Sequence, residues 1–222
     1  MQRMPSKPSP DRKKSPTAKA VPVHVIASTM KLLRLKVELM EVAPEIHREI
    51  VVPASFTLDD LHVTLQIVMG WQNCHLHDFT IGKTRYADPV IEEEFDGISG
   101  EDEHTAILAH VASKRGLRFT YQYDFGDSWQ HGITVVAIND GDPNEPAPAC
   151  ISGARACPTE DCGGPYGFID LMAARAKKPR ARRPDECEQM EWLGDFDPNY
   201  FDLDAVNAEL SRAFRPKRKR AK

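Results

Sequence analysis

The stretch from Phe119 to Ala137 constrains this chain most, because its apolar residues alternate on both sides of a turn. Phe119, Tyr121, Tyr123 and Phe125 alternate with Thr120, Gln122 and Asp124, and Trp129, His131, Ile133, Val135 and Ala137 repeat the pattern. A period of two is the mark of a half-buried strand, and Gly126-Asp127-Ser128 between the runs tolerates a tight reversal. The segment therefore predicts a β-hairpin. Asp124, Asp127 and His131 then lie together near its tip, with Trp129 on the side of His131. Aspartates in such turns commonly bond nearby amides, which is one reading. The other makes the tip part of a site.

Upstream, Leu33, Leu35, Val37 and Leu39 alternate with Arg34, Lys36 and Glu38, predicting a first strand whose partner is Glu45 to Val52. Thr57-Leu58-Asp59-Asp60 opens a helix, with Thr57 as N-cap and Asp60 in the capping-box position. Leu61, Leu65, Val68 and Met69 follow at helical spacing, Gly70 ends the helix, Trp71 packs back, and His62 is expected to pack at the stripe's edge. In Cys74 to Gly82, parity separates His75, His77, Phe79 and Ile81 from Leu76, Asp78 and Thr80, predicting a strand with both histidines on one face. A His-x-His pair suits zinc, which needs nitrogen donors converging at about 2.0–2.1 Å. The alternative is two hydrogen-bonded histidines on a partly buried sheet.

Residues 88–104 hold an acidic block, Glu92-Glu93-Glu94-Phe95-Asp96 and Glu101-Asp102-Glu103, expected to be a solvated loop without the register of a calcium-binding loop. Thr105 to Lys114 fits a short helix or a covered strand, and Asn139 to Pro146 reads as a surface turn. Cys150, Cys157 and Cys162 are spaced by six and then four residues, unlike paired zinc knuckles. Glu160 and Asp161 precede Gly163-Gly164, which permits positive φ before a helix from Phe168 to Ala176. A phosphate-binding loop is excluded by the missing Lys-Ser/Thr ending. After a basic run to Arg183, read as loop, Asp202 caps a last helix carrying Leu203, Val206 and Leu210, and Trp192, Phe196, Tyr200 and Phe201 are expected to close the core.

These stretches together, His75-Leu76-His77-Asp78-Phe79, Tyr123 to His131, and Cys150 to Gly167, resemble the plasmid pRiA4b ORF-3-like family, some of whose members carry the resolvase label TnpR. Thr159 stands where the family usually has a second proline. The resemblance implies a passenger of plasmids or mobile elements. Recombination is not supported by the motifs, since no His-x-x-Arg accompanies a tyrosine nucleophile and no serine-resolvase pattern is present.

Charge narrows the remaining classes. The net charge of −4 conceals a basic start at residues 1–28, read as a disordered tail, and a basic tail at 214–222 with Arg215, Lys217, Arg218, Lys219 and Arg220. Such arms suit non-specific, salt-sensitive contact with nucleic acid, or simply solubilise the chain. No apolar run is long enough for a membrane span, and five cysteines, an odd number, argue against a disulfide framework and for free thiols or metal ligation in a reducing, cytoplasmic setting. The chain predicts a single α+β domain over 29–213: a mostly antiparallel sheet built from hairpins, with helices at 57–69, 168–176 and 203–213 covering one face. Three functions fit: a non-catalytic accessory or interaction protein with a protein or nucleic-acid partner, a metal-dependent enzyme, or a structural module. The candidate polar site is His75, His77, Asp124, Asp127, Trp129, His131, Glu160 and Asp161. A divalent metal such as zinc would take His75, His77, His131 and Cys157.

Overall fold

The computed structural model describes residues 30–90, 100–141 and 147–215. The expected tail at 1–28, the acidic run Glu92 to Asp96 and the tail beyond Arg215 lie outside the described residues. Eight strands form one sheet, β1 Met30–Leu39, β2 Ile46–Pro53, β3 His77–Ile81, β4 Thr84–Ala87, β5 Glu101–Asp102, β6 Arg118–Tyr123, β7 Trp129–Gly141 and β8 Ala149–Ala154. Their spatial order is β5-β4-β3-β6-β7-β1-β2-β8, and every neighbour is antiparallel except the β4–β5 pair. The helices are α1 Leu58–Met69, α2 Leu108–Val111, α3 Gly164–Ala176, α4 Pro184–Leu193 and α5 Leu203–Ala213.

Strand alternation sorts the two faces. Leu33, Leu35, Val37, Phe119, Tyr121, Tyr123, Trp129, Ile133 and Val135 point to the helix side and are buried. Burying each such side chain contributes about 1.5–3 kcal/mol. The opposite face carries Arg34, Lys36, Gln122 and Gln130, tied by bonds such as Gln130 Nε2 to Gln122 Oε1 at 2.7 Å. One dry and one wet face is the expected pattern of an antiparallel sheet. The capping box at Thr57 and Asp60 is present, and Gly70 closes α1 at φ 86°.

Buried Arg48 fastens the fold's far side. Its guanidinium donates to the carbonyls of Val68, His47, Ala154 and Arg155 at 2.7–2.9 Å and lies 4.0 Å over the Phe201 ring. It thereby ties the end of α1 to the start of the cysteine loop. Burial is the main cause that lowers its pKa.

Some expectations need correction. β7 runs on to Gly141, pairing with Met30 to Leu32, so Asn139 to Gly141 belong to a strand rather than a surface turn. The end of the acidic block is not solvated: Glu103 is 1% exposed, folded in behind β5. Trp192 and Tyr200 do not close the core, being 55% and 60% exposed. The reason is α4, which turns Leu193 inward; adjacent helical side chains sit about 100° apart, so Trp192 faces out. Phe196 and Phe201 do pack against the core.

Candidate functional site

The β6–β7 turn supplies the first wall of the site. Asp124 takes φ 57°, a left-handed conformation that aspartate tolerates, and its Oδ1 accepts from the amides of Gly126 at 2.8 Å and Asp127 at 3.2 Å. Asp127 Oδ2 in turn accepts from the Gly163 amide at 3.1 Å, docking the cysteine loop on the hairpin. Only glycine fits at 164, where φ is 68° and a Cβ would lie 2.3 Å from the Asp127 carbonyl oxygen.

That docking brings Glu160 and Asp161 to the same rim. Glu160 Oε1 accepts from the Gln72 amide at 2.8 Å and the Tyr123 hydroxyl at 3.2 Å, which leaves Oε2 facing His75. His75 Nε2 lies 3.3 Å from Asp161 Oδ1, 3.6 Å from Glu160 Oε2 and 3.7 Å from Asp124 Oδ2. Cys74 Sγ lies with His75 and a Glu160 oxygen in a second group whose ligand atoms are all within 4.8 Å of one another. Burial pushes the Tyr123 hydroxyl well above its ordinary pKa, so it remains a donor to Glu160.

A second polar set adjoins the first. His77 Nε2 donates between the two Glu103 oxygens at 3.0 and 3.1 Å. His62 stacks flat on His77 with ring centroids 3.4 Å apart. Around His62 the bonds close a ring: Asn73 N to Gln66 Oε1, Gln66 Nε2 to the Tyr121 hydroxyl, Tyr121 to His62 Nδ1, and His62 Nε2 to Asn73 Oδ1. Burial first, and the neighbouring His77 second, pull the His62 pKa down to about 3. A cleft of about 220 Å³ opens here, lined by His62, Asn73, His75, His77, Asp88 and Glu103.

The structure does not bring together the four ligands expected for zinc. The strand begins only at His77, so His75 lies ahead of it and reaches the hairpin tip while His77 turns to Glu103. His131 is fully buried between Trp71 and Tyr121, donating from Nδ1 to the Tyr121 carbonyl at 3.2 Å, and burial lowers its pKa to about 4. Trp129 lies beside it in the core, away from the rim. Cys157 packs against Arg48 and Met69, its thiol pushed up to about 11 by burial. His75, Asp124, Glu160 and Asp161 do meet, with Asp127 as their brace. Glu103, His62, Asn73 and Gln72 were not legible as site residues, because what places them is contact across the chain.

An α+β protein with a predominantly antiparallel sheet and a carboxylate-and-imidazole rim is the class these features define. Residues 31–205 match the plasmid pRiA4b ORF-3-like proteins, and the chain belongs to that family. The uncharacterized protein y4hQ of Sinorhizobium fredii (strain NBRC 101917 / NGR234) is 33% identical over 183 residues, 82% of this chain and 90% of the relative. Among solved structures, MM3350 from Methanosarcina mazei Go1, a protein of unknown function, is similar with a TM-score of 0.67 and 29% identity, covering 80% of this chain and 98% of its own.

Proposed function

We propose that the protein is a non-catalytic accessory or interaction protein of plasmids or other mobile elements. In this reading the rim takes cationic groups, and the basic tails meet nucleic-acid phosphate. The observation that carries the proposal is the separation of charge. Asp124, Glu160 and Asp161 converge at the rim, while Arg215, Lys217, Arg218, Lys219 and Arg220 stand together in the C-terminal tail. Carboxylates at the rim repel phosphate, so contact with nucleic acid falls to the tails. The five free cysteines favour a reducing compartment, and a cytoplasmic location is part of the same proposal. Among the described residues no helix is long and apolar enough to cross a membrane.

The test is a fluorescence-anisotropy titration of labelled duplex DNA with the full chain and with a variant carrying Gln at those tail positions. Binding that weakens steeply with salt, ignores sequence and is lost in the variant supports the proposal. Sequence-selective binding that survives the Gln replacements contradicts it.

A second reading, a metal-dependent enzyme, draws support from the His77–Glu103 pair at the wall of the cleft. A histidine oriented by a buried carboxylate is the usual arrangement of a general base.

A further inference from the structure

Three carboxylate oxygens surround one imidazole nitrogen at the rim, and the distances are informative. Separations of 3.3, 3.6 and 3.7 Å from His75 Nε2 exceed an N–H···O bond of about 2.7–3.2 Å. They sit close to the spacing of about 3.3–3.4 Å between two ligand atoms that are each about 2.0–2.1 Å from one tetrahedral ion. A single Nε2–H can serve only one of the three oxygens. Two shielded atoms at the centre, Nε2 of His75 and Oε2 of Glu160, have no hydrogen-bond partner among the described residues. The Asp124 side chain is 10% exposed with Oδ2 directed at the same point, and the Glu160 side chain is 11% exposed. Among the described residues no lysine or arginine lies within 4.0 Å of Asp124, Glu160 or Asp161 to offset their charge. Two shielded carboxylates, with a third at the solvent edge beside them, are held together most readily by a cation.

We propose that His75, Asp124, Glu160 and Asp161 bind a divalent first-row transition metal, zinc being the best match. This rests on the reading of the rim as a site for cationic groups and names the cation. The imidazole decides the class, because magnesium and calcium take all-oxygen shells, whereas an imidazole with carboxylates and a nearby thiol suits zinc. Two ligand groups meet at His75, one with Asp124 and Asp161 and one with Glu160 and Cys74, each with its ligand atoms within 4.8 Å of one another. Asp127 holds the cysteine loop, and so Glu160 and Asp161, in place from outside. The metal would join the β6–β7 turn, the loop before β3 and the cysteine loop.

Calorimetric titration tests this on the full chain, stripped with chelator and titrated with ZnCl2 or MgCl2. The wild type is expected to bind one zinc per chain and to bind magnesium far more weakly. His75→Ala should lower zinc affinity at least tenfold. Asp161→Asn should lower it several-fold with no change in melting temperature, since the Asp161 side chain is 74% exposed and its loss cannot unfold the chain. His104→Ala, at the separate Asp88–Glu103–His104 group, should leave zinc binding unchanged. The proposal is overturned by a wild type that binds no zinc, by equal affinities in wild type, His75→Ala and Asp161→Asn, by loss in His104→Ala alone, or by magnesium binding as tight as zinc. The DNA titration with the tail variant varies neither metal nor rim, so its failure is distinguishable from failure here.

Discussion

Arg48 offers a direct test of how the fold supports the rim. It is 2% exposed and has no carboxylate partner among the described residues; the carbonyls of Val68, His47, Ala154 and Arg155 accept its protons. Arg48→Met keeps much of the apolar stem and removes every donor. Each carbonyl left unpaired costs about 1–3 kcal/mol, while relief of the buried charge returns several kcal/mol. Val68 lies in the last turn of α1 and Arg155 in the loop beyond β8, so those two carbonyls lose most, and the balance is a loss of about 3 kcal/mol. Arg48→Lys keeps the charge without the planar fork and should lose about 1–2 kcal/mol. Urea unfolding followed by tryptophan fluorescence reads both. An Arg48→Met protein within about 0.5 kcal/mol of the wild type, or a lysine variant less stable than the methionine one, would refute the reasoning.

Gly164→Ala should cost about 2–3 kcal/mol from left-handed strain plus the clash with the Asp127 carbonyl, whereas Gly116→Ala, at φ 83° with open space, should cost about 1 kcal/mol. Equal costs in the same urea assay would mean that the cysteine loop is not seated on the hairpin. His131 makes stability pH-dependent. Its folded pKa of about 4 lies below the ordinary 6.5, so the unfolded chain takes up the proton first. Stability is then fully present above pH 6.5 and falls as the pH drops toward 4, by about 3 kcal/mol at 1.36 kcal/mol per unit. His131→Phe should flatten this slope in urea titrations, with His62 leaving a residual slope of the same sign; an unchanged slope would place the proton elsewhere.

Local chemistry was legible wherever one short segment determines the outcome. The period-two runs gave β1, β6 and β7, and Thr57, Asp60 and Gly70 bounded α1, because alternation and caps are properties of neighbouring residues. Parity also put His131 inward with Trp129 and Ile133. What it could not supply was where β3 begins. The start at His77 instead of Cys74 separates His75 from His77, and so decides which carboxylates each one meets. Glu103 was misread for a related reason: an acidic residue beside other acids looks solvated until a histidine from another strand turns out to cover it. Helix α4 was missed because its exposed surface, with Glu188, Glu191 and Trp192, carries a weak apolar stripe that a single Leu193 completes.

His75, and not His77 or His131, is the imidazole that meets Asp124, Glu160 and Asp161. Anomalous diffraction at the zinc edge from crystals grown with zinc tests this most directly. The predicted result is one strong peak bounded by His75 Nε2 and oxygens of those three carboxylates, with ligand distances of about 2.0–2.2 Å. A peak coordinated by His77 or His131, or a rim in which His75 turns away from all three carboxylates, would contradict it.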